Sequence, residues 1–388
     1  MKRFAKVVSA LTAATILMAA CAQPAPAPAP AASAPAPAAT TEPAPTAEPE
    51  PPAAEGGGFE LALVTDIGTI DDRSFNQGSW EGLERFALEH GIEHQYFMPL
   101  GQGDDHYLNS IALAIQGGAQ LVVTPGFLFQ PALYQAQELF PDIKFVLLDG
   151  VPQDRATSNR HVAPNTVSIL YAEEQSGFLA GYAAVRDGFR DLGFIGGMAV
   201  PAVVRFGYGF LQGAEHAAYL LELEPGEVSV RYYYAGGFTP TPEAQATAAS
   251  WFVNDGIEVI FAAAGGLGSS VMAAAEAHGG LIIGVDIDQS YDSPTVITSA
   301  LKELSNSVYD MIDAFYAGNF PGGQILTLGA ADNGVGLPME TSRFREFSQE
   351  DYDYIFNQLA TGAIAVNSEH EISISALGLE LVTVVEVN

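Results

Sequence analysis

The chain has 388 residues, 48% of them hydrophobic, and 15 basic against 46 acidic side chains give a formal net charge of −31. An acidic balance of that size excludes nucleic acid as a partner, because binding there depends on clusters of Lys and Arg. It also disfavours phosphorylated ligands: the sequence holds no P-loop and no group of basic residues around a glycine loop.

Taken in chain order, the first segment has a basic start (Lys2, Arg3, Lys6), an apolar run over 7–20 and then Cys21, the one cysteine of the sequence. The run is too short and wrongly flanked for a membrane span but has the layout of a secretory signal. Ala19 and Ala20 before the cysteine match a lipobox, with Met18 a less typical residue ahead of them. Residues 1–21 therefore read as a lipoprotein signal. Processing would leave Cys21 as an acylated N-terminus on the extracytoplasmic face of a membrane, periplasmic or cell-surface. One cysteine allows no internal disulfide.

Residues 22–58 read as a disordered tether. The stretch 22–52 is almost entirely Ala, Pro, Thr and Glu and carries eleven of the 24 prolines. Such a composition favours extended polyproline II conformers, reaching roughly 100 Å at about 3.1 Å per residue.

About 330 residues remain, enough for two lobes. Short apolar runs at 61–65, 121–124, 145–148, 192–195, 259–262 and 281–285 each meet Gly or Asp soon after. Amphipathic stretches at 79–89, 131–139, 173–185 and 210–221 lie between them. Buried strands separated by helices predict an α/β fold of parallel sheets covered on both faces. The order also repeats. Phe75-x-x-Gly78-x-x-x-Gly82 follows the first strand, and Phe206-x-x-Gly209-x-x-x-Gly213 follows the strand at 192–195. A strand ending at Gly126 leads to one ending at Asp149, and a strand ending at Gly265 leads to one ending at Asp286. Two similar Rossmann-like lobes are expected.

Open α/β sheets bind ligands at the carboxyl ends of their strands. Asp66 there can accept from hydroxyls, Phe75 offers a stacking face, and Asn76 offers a donor and an acceptor. In the second half Phe238 follows two glycines, Gly265 and Gly266 permit close backbone approach, and Asp286 ends its strand. Spacing alone leaves each of these open to a capping or core role. Lys302 stands out because the other lysines are Lys2, Lys6 and Lys144, two of which leave with the signal. A snorkelling surface lysine is the alternative.

The segment LALVTDIGTIDDRSFNQGSW (61–80) resembles the opening of the basic membrane protein family, the purine-nucleoside-receptor type of ABC-transporter substrate-binding lipoproteins. So do AEEQSGFLAGYAA (172–184), GFIGGMAVPAVVRFGYGF (193–210), FAAAGGLGSSVMAAA (261–275) and GVDIDQSYDSPTVITSALK (284–302). The resemblance implies a type I periplasmic-binding-protein fold, two lobes joined by three crossovers. It places lobe 1 at 59–171 plus 289–321 and lobe 2 at 172–288 plus 322–388. It further implies Asp66, Asp286 and Lys302 as ribose contacts, Phe75 and Phe238 as the two faces around a base, and Asn76 at the base edge. Gln130 stands where an acidic residue is usual, and Phe238 lacks the family's usual Gly-Ser-Phe-x-Asp context. The implied function is delivery of a purine nucleoside to an ABC permease and its ATPase, without a cofactor.

Two rival readings remain. The same fold could take a sugar or another small polar metabolite. Alternatively Asp66, Asp71 and Asp72 resemble the opening of nucleoside hydrolases, where such carboxylates hold Ca²⁺. That pattern has one more aspartate where this chain has Thr65, and here Asp71 and Asp72 are better suited to hold the loop and cap the helix after Ser74.

Overall fold

The structure is a computed structural model that describes residues 58–387, so Cys21 and nearly all of the tether lie outside the described residues. The first half runs β1 (Leu61–Val64), α1 (Phe75–His90), β2 (His94–Phe97), α2 (Asp104–Gln116), β3 (Leu121–Pro125), α3 (Gln130–Leu139), β4 (Lys144–Leu148) and β5 (Thr166–Tyr171). The second runs α4 (Glu173–Arg186), β6 (Asp191–Gly196), α5 (Pro201–Leu220), β7 (Val228–Tyr234), α6 (Pro242–Asn254), β8 (Val259–Ala263), α7 (Gly268–His278), β9 (Leu281–Asp286) and β10 (Val296–Lys302). The chain closes with α8 (Leu304–Tyr316), β11 (Gln324–Leu328), β12 (Val335–Gly336), α9 (Gln349–Ala360) and β13 (Val382–Glu386).

Two sheets result, ordered β11-β5-β4-β3-β1-β2 and β12-β10-β9-β8-β6-β7-β13. All neighbours are parallel except the short β10–β12 pair. Strands β1–β5 and β6–β10 take the same spatial order, so the sequence repeat is a structural one. The central strands β1, β3 and β8 are buried at every residue, as expected of sheets covered on both faces.

The repeated glycines serve helix packing. A Cβ on Gly82 of α1 would overlap the backbone of Ser305 in α8. In the second lobe a Cβ on Gly209 or Gly213 of α5 would overlap the carbonyl of Glu174 or Phe178 in α4. Gly177 and Gly181 of α4 stand in the same relation to Phe206 and Phe210. Each pair thus sets a helix directly against the helix that begins after a crossover.

One expected boundary is corrected. The apolar run 296–301 does not return to lobe 1. It forms β10, which pairs with β9 as the fifth strand of the second repeat. The return consists of α8, packed on α1, and β11, paired with β5. It thus spans about 303–329 rather than 289–321. The crossovers fall after Tyr171, Lys302 and Leu328.

Candidate functional site

The carboxyl ends of both sheets face one cavity of about 560 Å³. Its lining includes Asp66, Phe75 and Asn76 from the first lobe and Phe238, Gly265, Asp286 and Lys302 from the second.

The loop between β1 and α1 is organised by Asp72. Its Oδ1 accepts the N–H groups of Ser74 (2.9 Å) and Gln77 (3.0 Å), and its Oδ2 accepts the N–H of Asn76 (3.1 Å). Those donors are the free N–H groups of a helix start, so Asp72 caps α1 from two residues before Ser74. The Asn76 amide nitrogen donates to Asp72 Oδ2 (2.9 Å) and Asp66 Oδ1 (3.1 Å). Two carboxylates therefore settle which way the amide points, leaving Asn76 Oδ1 a buried acceptor without a protein donor. Burial raises the Asp66 carboxyl above its ordinary range, against the bonds from Gly68 and Asn76. With both oxygens of Asp72 engaged by N–H groups, the Asp66–Asp71–Asp72 trio does not form an ion cage. Among the described residues no cluster of His, Cys, Asp and Glu suits a metal.

At the depth of the cavity lies Lys302, the last residue of β10, its side chain 2% exposed. The ammonium is 2.5 Å from Asp149 Oδ2, 3.2 Å from Glu173 Oε1 and 4.0 Å from Asp286 Oδ1. It also lies 4.9, 5.3 and 5.4 Å from the ring centroids of Phe75, Tyr171 and Phe206, a cage that favours a cation. Glu173 additionally accepts from Arg205 Nε at 2.6 Å. Burial opposes the charge on Lys302, yet the three carboxylates around it hold its pKa above the ordinary lysine range. Burial likewise opposes ionisation of Glu173, but Lys302 and Arg205 outweigh it and keep that carboxyl below its usual value. Three carboxylates against two cations leave one excess charge. Asp149 carries the consequence: burial pushes it up to about 7, with the Lys302 ammonium opposing and the Glu173 charge adding to the rise. Burial also raises Asp286, against Lys302 and the 2.5 Å bond donated by Ser74 Oγ.

Asp149 and Asp286 are counterparts in the repeat. Each directly follows or ends the fourth strand of its lobe, and each sits in the left-handed region (φ 55° and 68°). That conformation is uncommon outside Gly and Asn/Asp, and here it marks both residues as functional candidates.

Phe238 packs across two glycines. A Cβ on Gly197 would overlap its ring, and one on Gly265 would lie 3.4 Å from it. Gly265 also has φ 55°, so the bare backbone both turns the chain and seats the aromatic.

Residues 59–372 match the family described as ABC transporter substrate-binding protein PnrA-like. The chain belongs to that family. It is similar to the ABC transporter nucleoside-binding protein BmpA of Lactococcus lactis subsp. cremoris, 32% identical over 306 residues spanning 73% of this chain and 82% of that one. Basic membrane protein D of Borreliella burgdorferi is 29% identical over 303 residues, 77% and 82% of the two chains. The fold of this chain is similar to that of an ABC transporter solute-binding protein from Aeropyrum pernix K1, with TM-score 0.69 and 24% identity over 83% of this chain and 98% of that one. The expected type I periplasmic-binding fold is present, and this is an ABC-transporter substrate-binding protein. Among the described residues no helix is long and apolar enough to cross a membrane.

Of the eight residues expected around a ligand, seven line the cavity and Gln130 does not. Its amide oxygen accepts the Val151 N–H (3.1 Å) and its carbonyl accepts the Gln153 N–H (3.1 Å), so it braces the loop after β4. The resemblance suggested Gln130, the first residue of α3, as standing where an acidic residue is usual, and the sequence does not show that loop. Sequence reasoning also passed over Asp149 as a site residue, although the repeat that singled out Asp286 points equally to its counterpart. Glu173 and Phe206 were read only as a helix start and a motif residue.

Proposed function

We propose that the cavity binds a purine nucleoside, which the protein delivers to an ABC permease without turning it over. The observation that carries this reading is the pairing of two environments in one cavity. Phe75 and Phe238, from opposite lobes, supply aromatic surface for a planar base. Asp149, Asp286 and Lys302 supply acceptors and a charged donor suited to the hydroxyls of a sugar. Asn76 Oδ1 and Asp149 Oδ1 are buried acceptors with no protein donor, as a ligand rich in O–H and N–H groups requires. The name of the Lactococcus relative is consistent with this substrate class. We propose further that Asp66 and Asn76 address the base edge or sugar from lobe 1. Acylated Cys21 would tether the protein to the outer face of a membrane, and a lipid-free N-terminal peptide in the native protein's mass spectrum would contradict that tether.

The charge of the cavity sets its selectivity. Asp66, Asp71, Asp72, Asp149 and Asp286 line it against the cations Arg73 and Lys302, and the Lys302 charge is already offset by the carboxylates around it. A phosphate would meet excess negative charge, and like-charge juxtaposition costs several kcal/mol. Guanosine at 100 times its dissociation constant should add about 2.7 kcal/mol of stability. Guanosine 5′-monophosphate at the same concentration should add almost none. A thermal-shift comparison of the two checks this, and equal stabilisation would overturn the charge argument.

A further inference from the structure

The two lobes are joined across the cleft by bonds whose lobe-2 members, Gln289 and Asp292, lie outside the cavity lining. Arg73, in the loop between β1 and α1, has its carbonyl facing lobe 2, where Gln289 Nε2 donates to it at 2.6 Å. The Arg73 guanidinium lies 3.6 Å from Asp292 of the same lobe-2 loop. Arg73 takes a left-handed φ of 57°, a conformation that costs a β-carbon residue energy unless its surroundings fix it. Asp72 fixes it from one side through the N–H groups of Ser74, Asn76 and Gln77.

Gln289 is fixed just as firmly from the other side. It is 2% exposed, its Oε1 accepts the Val285 N–H (3.0 Å), and its own N–H donates to Ser299 Oγ (3.0 Å). Those bonds leave the amide nitrogen one direction, across the cleft. Gln289 does not line the cavity, so it has no access to a ligand there.

We infer that Gln289 is a positioning residue for ligand capture: it latches the β1–α1 loop onto lobe 2 through the Arg73 carbonyl, with the Arg73–Asp292 pair as a weaker exposed partner. The loop it latches ends in Ser74, whose Oγ donates to Asp286, and leads directly into Phe75 and Asn76 at the start of α1. A bond made only between protein atoms across a hinge favours the closed arrangement whether or not ligand is bound. The apparent affinity of a protein whose competent state is partly populated scales with that population. The latch therefore raises affinity without touching the ligand. The inference rests on the cavity being the ligand site but not on the ligand being a nucleoside.

The test uses the full chain carrying Cys21→Ser, so that spin labels attach only at cysteines placed at Leu100 and Glu243. Both residues are exposed and lie at the carboxyl ends of their lobes' strands. Gln289→Glu keeps an acceptor for the Val285 N–H and replaces the donor by an oxygen facing the Arg73 carbonyl. At pH 8 without ligand, Gln289→Glu should shift the interlobe distances toward longer values. The closed-to-open ratio should fall about 3- to 10-fold, as for one hydrogen bond. Asp292→Ala should shift it the same way by less, about 2-fold, as for an exposed pair. Inosine should bind the Gln289→Glu protein 3- to 10-fold more weakly, chiefly through faster release. Ligand-free distances unchanged in both variants would overturn the latch. Parent distances insensitive to inosine would instead count against the nucleoside reading and leave the ligand-free comparison to judge the latch. Should Gln289→Glu not fold, Gln289→Met makes the same comparison, because it removes the donor to the Arg73 carbonyl without burying a charge.

Discussion

Replacing Lys302 with methionine is expected to cost about 3–5 kcal/mol of folding stability, the usual penalty for removing one partner from a buried charge group. Methionine keeps the length and apolar stem but leaves Asp149, Glu173 and Asp286 with only Arg205, which touches Glu173 alone. The loss should depend on pH. Asp149 has a folded pKa of about 7, raised from its ordinary 3.8. A carboxyl raised in this way contributes stability below its unfolded value and loses it as pH rises through the folded one. Without the ammonium that opposes the rise, all three carboxyls favour protonation more strongly in the fold. The deficit of Lys302→Met should therefore be largest above pH 7 and shrink toward pH 5. Urea denaturation of parent and variant at pH 5 and pH 8 checks the sign. An equal deficit at both values would contradict the assignment of the loss to unpaired carboxylates. Nucleoside binding should weaken ~10-fold or more as charge-assisted bonds are lost.

The second large effect lies away from the ligand. Gly213→Ala places a methyl group against the carbonyl of Phe178, where the obstacle is backbone and cannot rotate away. Overpacking of this kind costs roughly 1–3 kcal/mol and occasionally more. A gain in helix propensity of about 0.5–1 kcal/mol offsets part of it. A net loss of about 1–2 kcal/mol is expected. Because α4 presents Glu173 and α5 presents Arg205 and Phe206, spreading the helices should also strain the 2.6 Å bond between Glu173 and Arg205. Gly268→Ala is the matched control, since nothing lies within 4 Å of a Cβ there, and it should change stability by no more than about 0.5 kcal/mol. Equal losses in the two variants would remove the close-approach explanation of the repeated glycines.

Those glycines show what was legible in the sequence. Their spacing after Phe75 and Phe206 disclosed the two-fold repeat, and the repeat correctly implied two sheets of one strand order. Strands with buried faces, such as β1, β3 and β8, stand out as apolar runs. Edge strand β2, with the sequence HQYF and no buried residue, does not. The lobe boundary expected at 289 was misplaced because an apolar strand reads the same whichever sheet it joins; only the pairing of β10 with β9 decides. In the site, residues at the ends of strong strands were visible. Those acting through tertiary contact were not: Asp149 joins Lys302 from 153 residues away, and Glu173 meets Arg205 across two packed helices. Gln130 failed in the opposite sense, a polar residue at a suitable place whose acceptors are used by its own neighbourhood.

The central claim is that one cavity joins an aromatic surface for a base to a charged floor for a sugar. Calorimetric titration of ligand-free protein with inosine, hypoxanthine and ribose tests it most directly. Inosine is expected to bind once per chain and at least about 100-fold more tightly than either fragment, because each fragment forgoes several favourable contacts. Ribose binding as tightly as inosine, or no saturable binding of any purine nucleoside, would contradict it.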